Sequence, residues 1–176
     1  MNTASILKDI KLVVLDVDGV LTDGSIYTSG NGELFKGFYV RDGLGIKFLQ
    51  DAGIQVAICT GRTSAIVRER TAELGITLVM QGEKDKREGF ARICETAGVN
   101  PKNVAYMGDD IPDLCLFPLV GLSCAPKDAQ PIVLEKVNWV SKFNGGRGAV
   151  RELAELILQK QGKFEQVVQK RFKTEI

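Results

Sequence analysis

Val13-Val14-Leu15-Asp16-Val17-Asp18-Gly19-Val20-Leu21-Thr22-Asp23 carries an apolar run into three carboxylates within eight residues. Burying an unpaired charge is costly, so something at the end of that run must want negative charge. Thr60-Gly61-Arg62, Lys86, and Asp109-Asp110 with Asp113 follow other apolar runs. The chain contains no histidine. That excludes Ser-His-Asp and Cys-His catalysis, histidine-ligated zinc and histidine bases within one subunit. Chemistry must rest on carboxylates, lysines, arginines, hydroxyls and backbone.

Phosphoryl transfer fits this set. A phosphate monoester is dianionic and repels a carboxylate, and a divalent cation removes that repulsion. Mg²⁺ prefers oxygen ligands. Asp16 and Asp109 can supply two carboxylates and the Asp18 carbonyl a third oxygen. Asp16 can then attack phosphorus to give an aspartyl phosphate. Asp18 can protonate the leaving alkoxide and later deprotonate water. The Thr60 hydroxyl and nearby N–H groups can hold phosphoryl oxygens, and Lys86 can balance charge.

The elements that position these residues follow from hydrophobic patterning. Short Val- and Ile-rich runs at 11–16, 55–59, 77–80, 104–108, 120–123 and 138–140 read as strands. They are nearly continuously apolar, as parallel strands covered on both faces are. Helical patterns occupy 42–51, 64–74, 85–97 and 149–161, with Ser64 as an N-cap and Gly75 and Gly98 as stops. This alternation predicts an α/β, doubly wound, mostly parallel Rossmann-like sheet. The C-terminal strand ends share one rim, where ligands bind in open α/β sheets. Within 24–40 the segment around Asn31-Gly32 reads as an inserted β-hairpin, placed as a small lid or subunit contact.

The length of 176 residues favours one domain, over 1–161, with a C-terminal tail at 162–176. An apolar fraction of 44% and a charged fraction of 26% are ordinary for a globular protein. The net charge of +1 gives no argument for nucleic acid or membrane partners. Cys59, Cys94, Cys115 and Cys124 form no CxxC pair and lie in apolar stretches, so they read as core residues of a reducing cytosol. No signal peptide or spanning segment is evident, and a cytoplasmic location is expected.

Asp16-Val17-Asp18-Gly19-Val20-Leu21-Thr22-Asp23, Cys59-Thr60-Gly61-Arg62, Lys86 and Gly108-Asp109-Asp110 with Asp113 together resemble the four motifs of the haloacid dehalogenase superfamily of phosphatases. The hairpin, Phe38–Ile46, Gln81-Gly82, Val104–Asp110 and Gly145–Glu152 resemble a capless subclass that hydrolyses 3-deoxy-D-manno-octulosonate 8-phosphate, on the way to the lipopolysaccharide inner core. The resemblance covers nearly the whole chain. It implies no cap domain, a homotetramer with packed hairpins, and a tail that reaches an adjacent subunit's site. It implies that Asp16, Asp18 and Asp109 hold Mg²⁺, and that Asp16, Asp18, Thr60 and Lys86 are catalytic. Asp18, Tyr39, Val40, Arg41, Asp42, Gly43, Lys47, Gly61, Arg62, Arg70 and Lys86 would line the site of a sugar-acid phosphate, whose carboxylate and phosphate suit an arginine- and lysine-rich pocket. A related phosphatase for a nonulosonate 9-phosphate, a non-catalytic scaffold and a phospho-receiver are the alternatives. The second carboxylate at Asp18 and the inserted hairpin speak against a receiver.

Overall fold

The computed structural model describes residues 3–30 and 32–174; Asn31 of the expected turn and both chain ends lie outside the described residues. In chain order the elements are α1 (Thr3–Lys8), β1 (Leu12–Leu15), β2 (Tyr27–Ser29), β3 (Gly32–Phe35), α2 (Val40–Asp51), β4 (Gln55–Thr60), α3 (Ala65–Leu74) and β5 (Leu78–Gln81). Then come α4 (Lys86–Ala97), β6 (Val104–Met107), β7 (Leu122–Ala125), α5 (Pro131–Leu134), β8 (Trp139–Val140), α6 (Ala149–Lys160) and α7 (Phe164–Phe172).

Strand β1 shows why the sheet is covered on both sides. Its four residues are buried, and they alternate between two cores. Val13 and Leu15 join Ile46, Phe48, Leu49, Leu153 and Ile157 of α2 and α6. Leu12 and Val14 join Phe90 and Ile93 of α4, with Tyr106 and Leu116. Period-two alternation along an apolar strand thus feeds both helical layers. The six strands run parallel in the order β5-β4-β1-β6-β7-β8, and β2-β3 form a separate antiparallel hairpin. Among the described residues this is the expected doubly wound α/β sheet with an inserted hairpin and no cap domain.

Most expected elements appear within a residue or two. Ser64 caps α3 by accepting from the Val67 N–H at 3.2 Å, and Gly75 and Gly98 end α3 and α4 in the left-handed conformation. Strand β7 begins two residues later than the apolar run suggests. The Gly121 N–H is bound to the Pro101 and Val104 carbonyls, so pairing with β6 starts only at Leu122. Gly45 lets α2 and α6 approach, since a Cβ there would lie 2.9 Å from the Arg151 Cα. Cys59, Cys94 and Cys124 are buried free thiols, as expected, and burial pushes Cys59 up to about 12.

Residues 164–172 form α7, which folds back on its own chain. Phe164 and Phe172 each meet Phe48 edge-on with centroids 6.1 Å apart. Val167 and Val168 are buried, and Arg171 pairs with Asp51 at 2.6 Å. Among the described residues no helix is long and apolar enough to cross a membrane.

Candidate active site

The chain places β4 and β5 on one side of β1 and β6, β7 and β8 on the other, so the strand order reverses between β1 and β6. Loops leaving such a switch point diverge and open a crevice. The Asp16 N–H donates to the Met107 carbonyl at 3.0 Å, which holds the two strand ends level. Asp16 and Asp109 therefore stand across one opening. A pocket of about 400 Å³ lies there, lined by Asp16, Asp18, Thr60, Gly61, Arg62, Lys86 and Asp109, among others.

Lys86 opens α4 and is buried between two acids. Its ammonium lies 2.9 Å from Asp16 Oδ2 and 2.6 Å from Asp113 Oδ1. Burial alone would lower its pKa, but Asp16 and Asp113 outweigh that and hold it up. Asp113 uses both of its oxygens. Oδ1 accepts from Lys86 and the Tyr106 hydroxyl, and Oδ2 accepts from the Asp109 and Asp110 N–H groups at 2.9 and 3.1 Å. It is a buried bracket that shapes the Asp109 loop and seats Lys86. Asp110 caps the following turn through the Ile111 N–H at 2.7 Å.

Asp16 differs. Its Oδ1 is the one buried side-chain polar atom among the described residues with no hydrogen-bond partner. Burial, reinforced by Asp113 and opposed by Lys86, pushes Asp16 up to about 6. Burial, then Asp16, Asp113 and Asp110, push Asp109 up to about 7. Carboxylate oxygens of Asp16, Asp109 and Asp113 lie within 4.8 Å of one another. Clustered acids, a bare oxygen and the absence of nitrogen or sulfur donors among them fit a hard, oxygen-seeking cation. Both Asp113 oxygens already accept hydrogen bonds, so Asp16 and Asp109 are the carboxylates that could hold it. Gly19 permits the close packing here: its φ is +83°, and a Cβ would lie 2.0 Å from Asp109 Oδ2.

A sequence model of the haloacid dehalogenase-like hydrolase family matches residues 74–153. The 3-deoxy-D-manno-octulosonate 8-phosphate phosphatase of Escherichia coli K12 is 46% identical over 159 residues, spanning 90% of this chain and 85% of that protein. This chain belongs to the 3-deoxy-D-manno-octulosonate 8-phosphate phosphatase family. The Yersinia pestis structure of that phosphatase superposes with a TM-score of 0.90 at 44% identity, covering 92% of this chain and 88% of the other. The Moraxella catarrhalis phosphatase, crystallised with magnesium ion, phosphate ion and KDO, gives a TM-score of 0.91 at 38% identity, with coverage of 97% and 98%.

Not every site residue expected of a 3-deoxy-D-manno-octulosonate 8-phosphate phosphatase lines this chain's pocket. Asp42 is buried under α6, where it accepts from the Gly148 N–H at 3.1 Å and the Arg151 N–H at 2.8 Å. The Lys47 ammonium sits on the Leu74 carbonyl at 2.7 Å, at the C-terminal end of α3. Arg70 pairs with Glu73 at 2.7 Å and lies over the Phe38 ring, close to Gly43. Arg41 lies over Tyr39 at 5.8 Å, and Val40 is exposed. These seven residues, 39–43 with Lys47 and Arg70, form a flank on α2 and α3. In the other direction, the sequence reading missed Glu83 and Lys84, which line the pocket, and Lys36. Lys36 extends from the hairpin and meets Asp18 Oδ1 at 2.5 Å. A cation placed by a tertiary contact 18 residues along the chain leaves no local signal.

Proposed function

We propose that this chain is a Mg²⁺-dependent phosphatase that hydrolyses 3-deoxy-D-manno-octulosonate 8-phosphate to the free sugar acid and phosphate. The observation that carries the reading is the bare, buried Oδ1 of Asp16, on a carboxylate whose other oxygen, Oδ2, Lys86 already holds. Asp16, Asp109 and the Asp18 carbonyl would hold the cation, which when bound neutralises phosphate charge and polarises the phosphoryl group. Asp16 attacks phosphorus, a P–O bond to the aspartate forms, and the ester P–O bond breaks. The departing alkoxide takes a proton from Asp18. Asp18 then takes a proton from the water that cleaves the aspartyl phosphate and releases inorganic phosphate. Thr60, at the end of β4, and the N–H groups of 61–62 orient phosphoryl oxygens, and Lys86 keeps Asp16 aligned.

Arg62, half-exposed at the pocket rim, offers a guanidinium to the sugar acid. Tyr39, Val40, Arg41, Asp42, Gly43, Lys47 and Arg70 belong to the substrate-binding side through the family resemblance. Their place on the α2 and α3 flank suits service to an adjoining protomer in a cytoplasmic homotetramer. Ile26, Tyr27, Leu34 and Phe35 of the hairpin region are exposed, which supports hairpin packing between subunits.

A panel of sugar phosphates, with phosphate release as readout, tests the assignment. The octulosonate 8-phosphate is expected to give the highest kcat/KM, with activity lost in EDTA and restored by Mg²⁺. A higher value for a nonulosonate 9-phosphate would reassign the substrate.

A further inference from the structure

The hairpin is open to solvent along both strands, with Leu34 59% and Phe35 49% exposed. The Lys36 side chain, one residue beyond β3, is 2% exposed. Ordering a long, flexible lysine gives up much rotamer freedom, so its burial on an otherwise exposed element needs strong compensation. Two carboxylates supply it. The ammonium lies 2.5 Å from Asp18 Oδ1 and 3.1 Å from Glu33 Oε1.

Glu33 is itself anchored, because the Ser64 hydroxyl donates to its Oε2. Ser64 is fixed twice more, as the cap of α3 and through its N–H to Gln81 Oε1 at 2.8 Å. A continuous series of polar contacts therefore runs from the end of β5 through Ser64, Glu33 and Lys36 to Asp18. Among the described residues the other cation paired with Asp18 is Arg62, whose Nε stands 3.6 Å from Oδ2 and whose side chain is half-exposed. Lys36 is the closer and the more rigidly held.

We propose that Lys36 is a positioning residue, which holds the Asp18 carboxyl at the pocket and makes the hairpin part of the catalytic apparatus. This rests on the reading of Asp18 as the group that handles both proton transfers. A carboxyl on a short side chain at a loop can turn about two torsions, and proton transfer demands hydrogen-bond reach to the ester oxygen. Clamping one oxygen from the hairpin side leaves the other on the pocket side, beside the half-exposed Arg62. Lys36 does not touch the reacting atoms; it acts through Asp18.

The test compares an alkyl ester, whose leaving oxygen needs a proton, with p-nitrophenyl phosphate, whose phenolate departs without one. Lys36→Met is expected to lower kcat/KM for the sugar phosphate by about 30-fold, a part of what general acid catalysis contributes, and for the aryl ester by less than about threefold. Lys36→Arg keeps the charge and is expected to recover most of the loss, which also covers the case where Lys36→Met loosens the hairpin. Equal losses on both esters, or no loss on the sugar phosphate, would overturn the proposal. Asp18→Asn run alongside separates the two readings. If Asp18→Asn discriminates between the esters and Lys36→Met does not, Lys36 alone is misassigned. If Asp18→Asn slows formation of the phosphoenzyme, followed in a single turnover, equally for both esters, the leaving-group role of Asp18 falls and the positioning role falls with it.

Discussion

The pocket between β1 and β6 and the flank on α2 and α3 both carry acids and cations, yet they use them differently. On the flank, the Asp42 oxygens both accept from α6 backbone, Lys47 sits on α3 carbonyls, and Arg70 has Glu73 and Phe38. Each charge completes a helix end or a packing contact. In the pocket, Asp16 keeps one oxygen bare and Asp109 is held far above the ordinary carboxylate range by burial and its acidic neighbours. Charge type is the same in the two places. What separates them is bonding capacity left facing a cavity.

The sharpest way to break this contrast is Asp16→Asn. Removing the nucleophile is expected to lower kcat by about 10⁴-fold or more with the fold intact, read by phosphate release and thermal unfolding. Near-normal turnover would make the bare oxygen incidental. Chelation comes next. EDTA is expected to cost about 10³-fold in activity, since a bound cation contributes several kcal/mol to transition-state charge stabilisation. Tm should fall by no more than a few degrees, because a cation bound only by the folded state stabilises that state by mass action. Collapse of Tm in EDTA with activity retained until unfolding would make the acidic cluster a structural element.

Asp113→Asn tests the bracket. Losing one member of a buried ion pair is expected to lower stability by about 3 kcal/mol, measured by denaturant unfolding. Activity should fall too, because Lys86 and the Asp109 loop lose their common anchor. The smallest effect belongs to the flank. Asp42→Ala is expected to cost about 1–2 kcal/mol through the lost cap on α6. Unchanged stability with a raised KM would move Asp42 from the capping set to the substrate set.

The fold was legible because its strands announce themselves. An apolar run such as 12–15 can be satisfied only by cover on both faces, and the intervening helices carry their own caps at Ser64 and Asp85. The pocket was legible for a related reason. Asp16, Thr60 and Asp109 each follow a strand, and parallel strands deliver their ends to one rim. Asp42 shows where local reading stops. Its place on the substrate side comes only from the family resemblance; that it caps a helix more than 100 residues away depends on how α2 packs on α6. Lys36 is the converse case, a charge in an exposed hairpin whose partner is set only by tertiary docking. The division of labour between Asp110 and Asp113 was similarly hidden, because it depends on which carboxylate turns inward.

Strand β1 lies at the middle of the sheet, with both faces enclosed and a neighbour paired along each edge. Its amides can reach solvent only when the whole sheet comes apart, whereas those of the exposed β2-β3 ribbon need only a local opening. In deuterated buffer the backbone leading into Asp16 should be among the last to take up label. The nucleophile is thus mounted on the slowest-exchanging part of the protein.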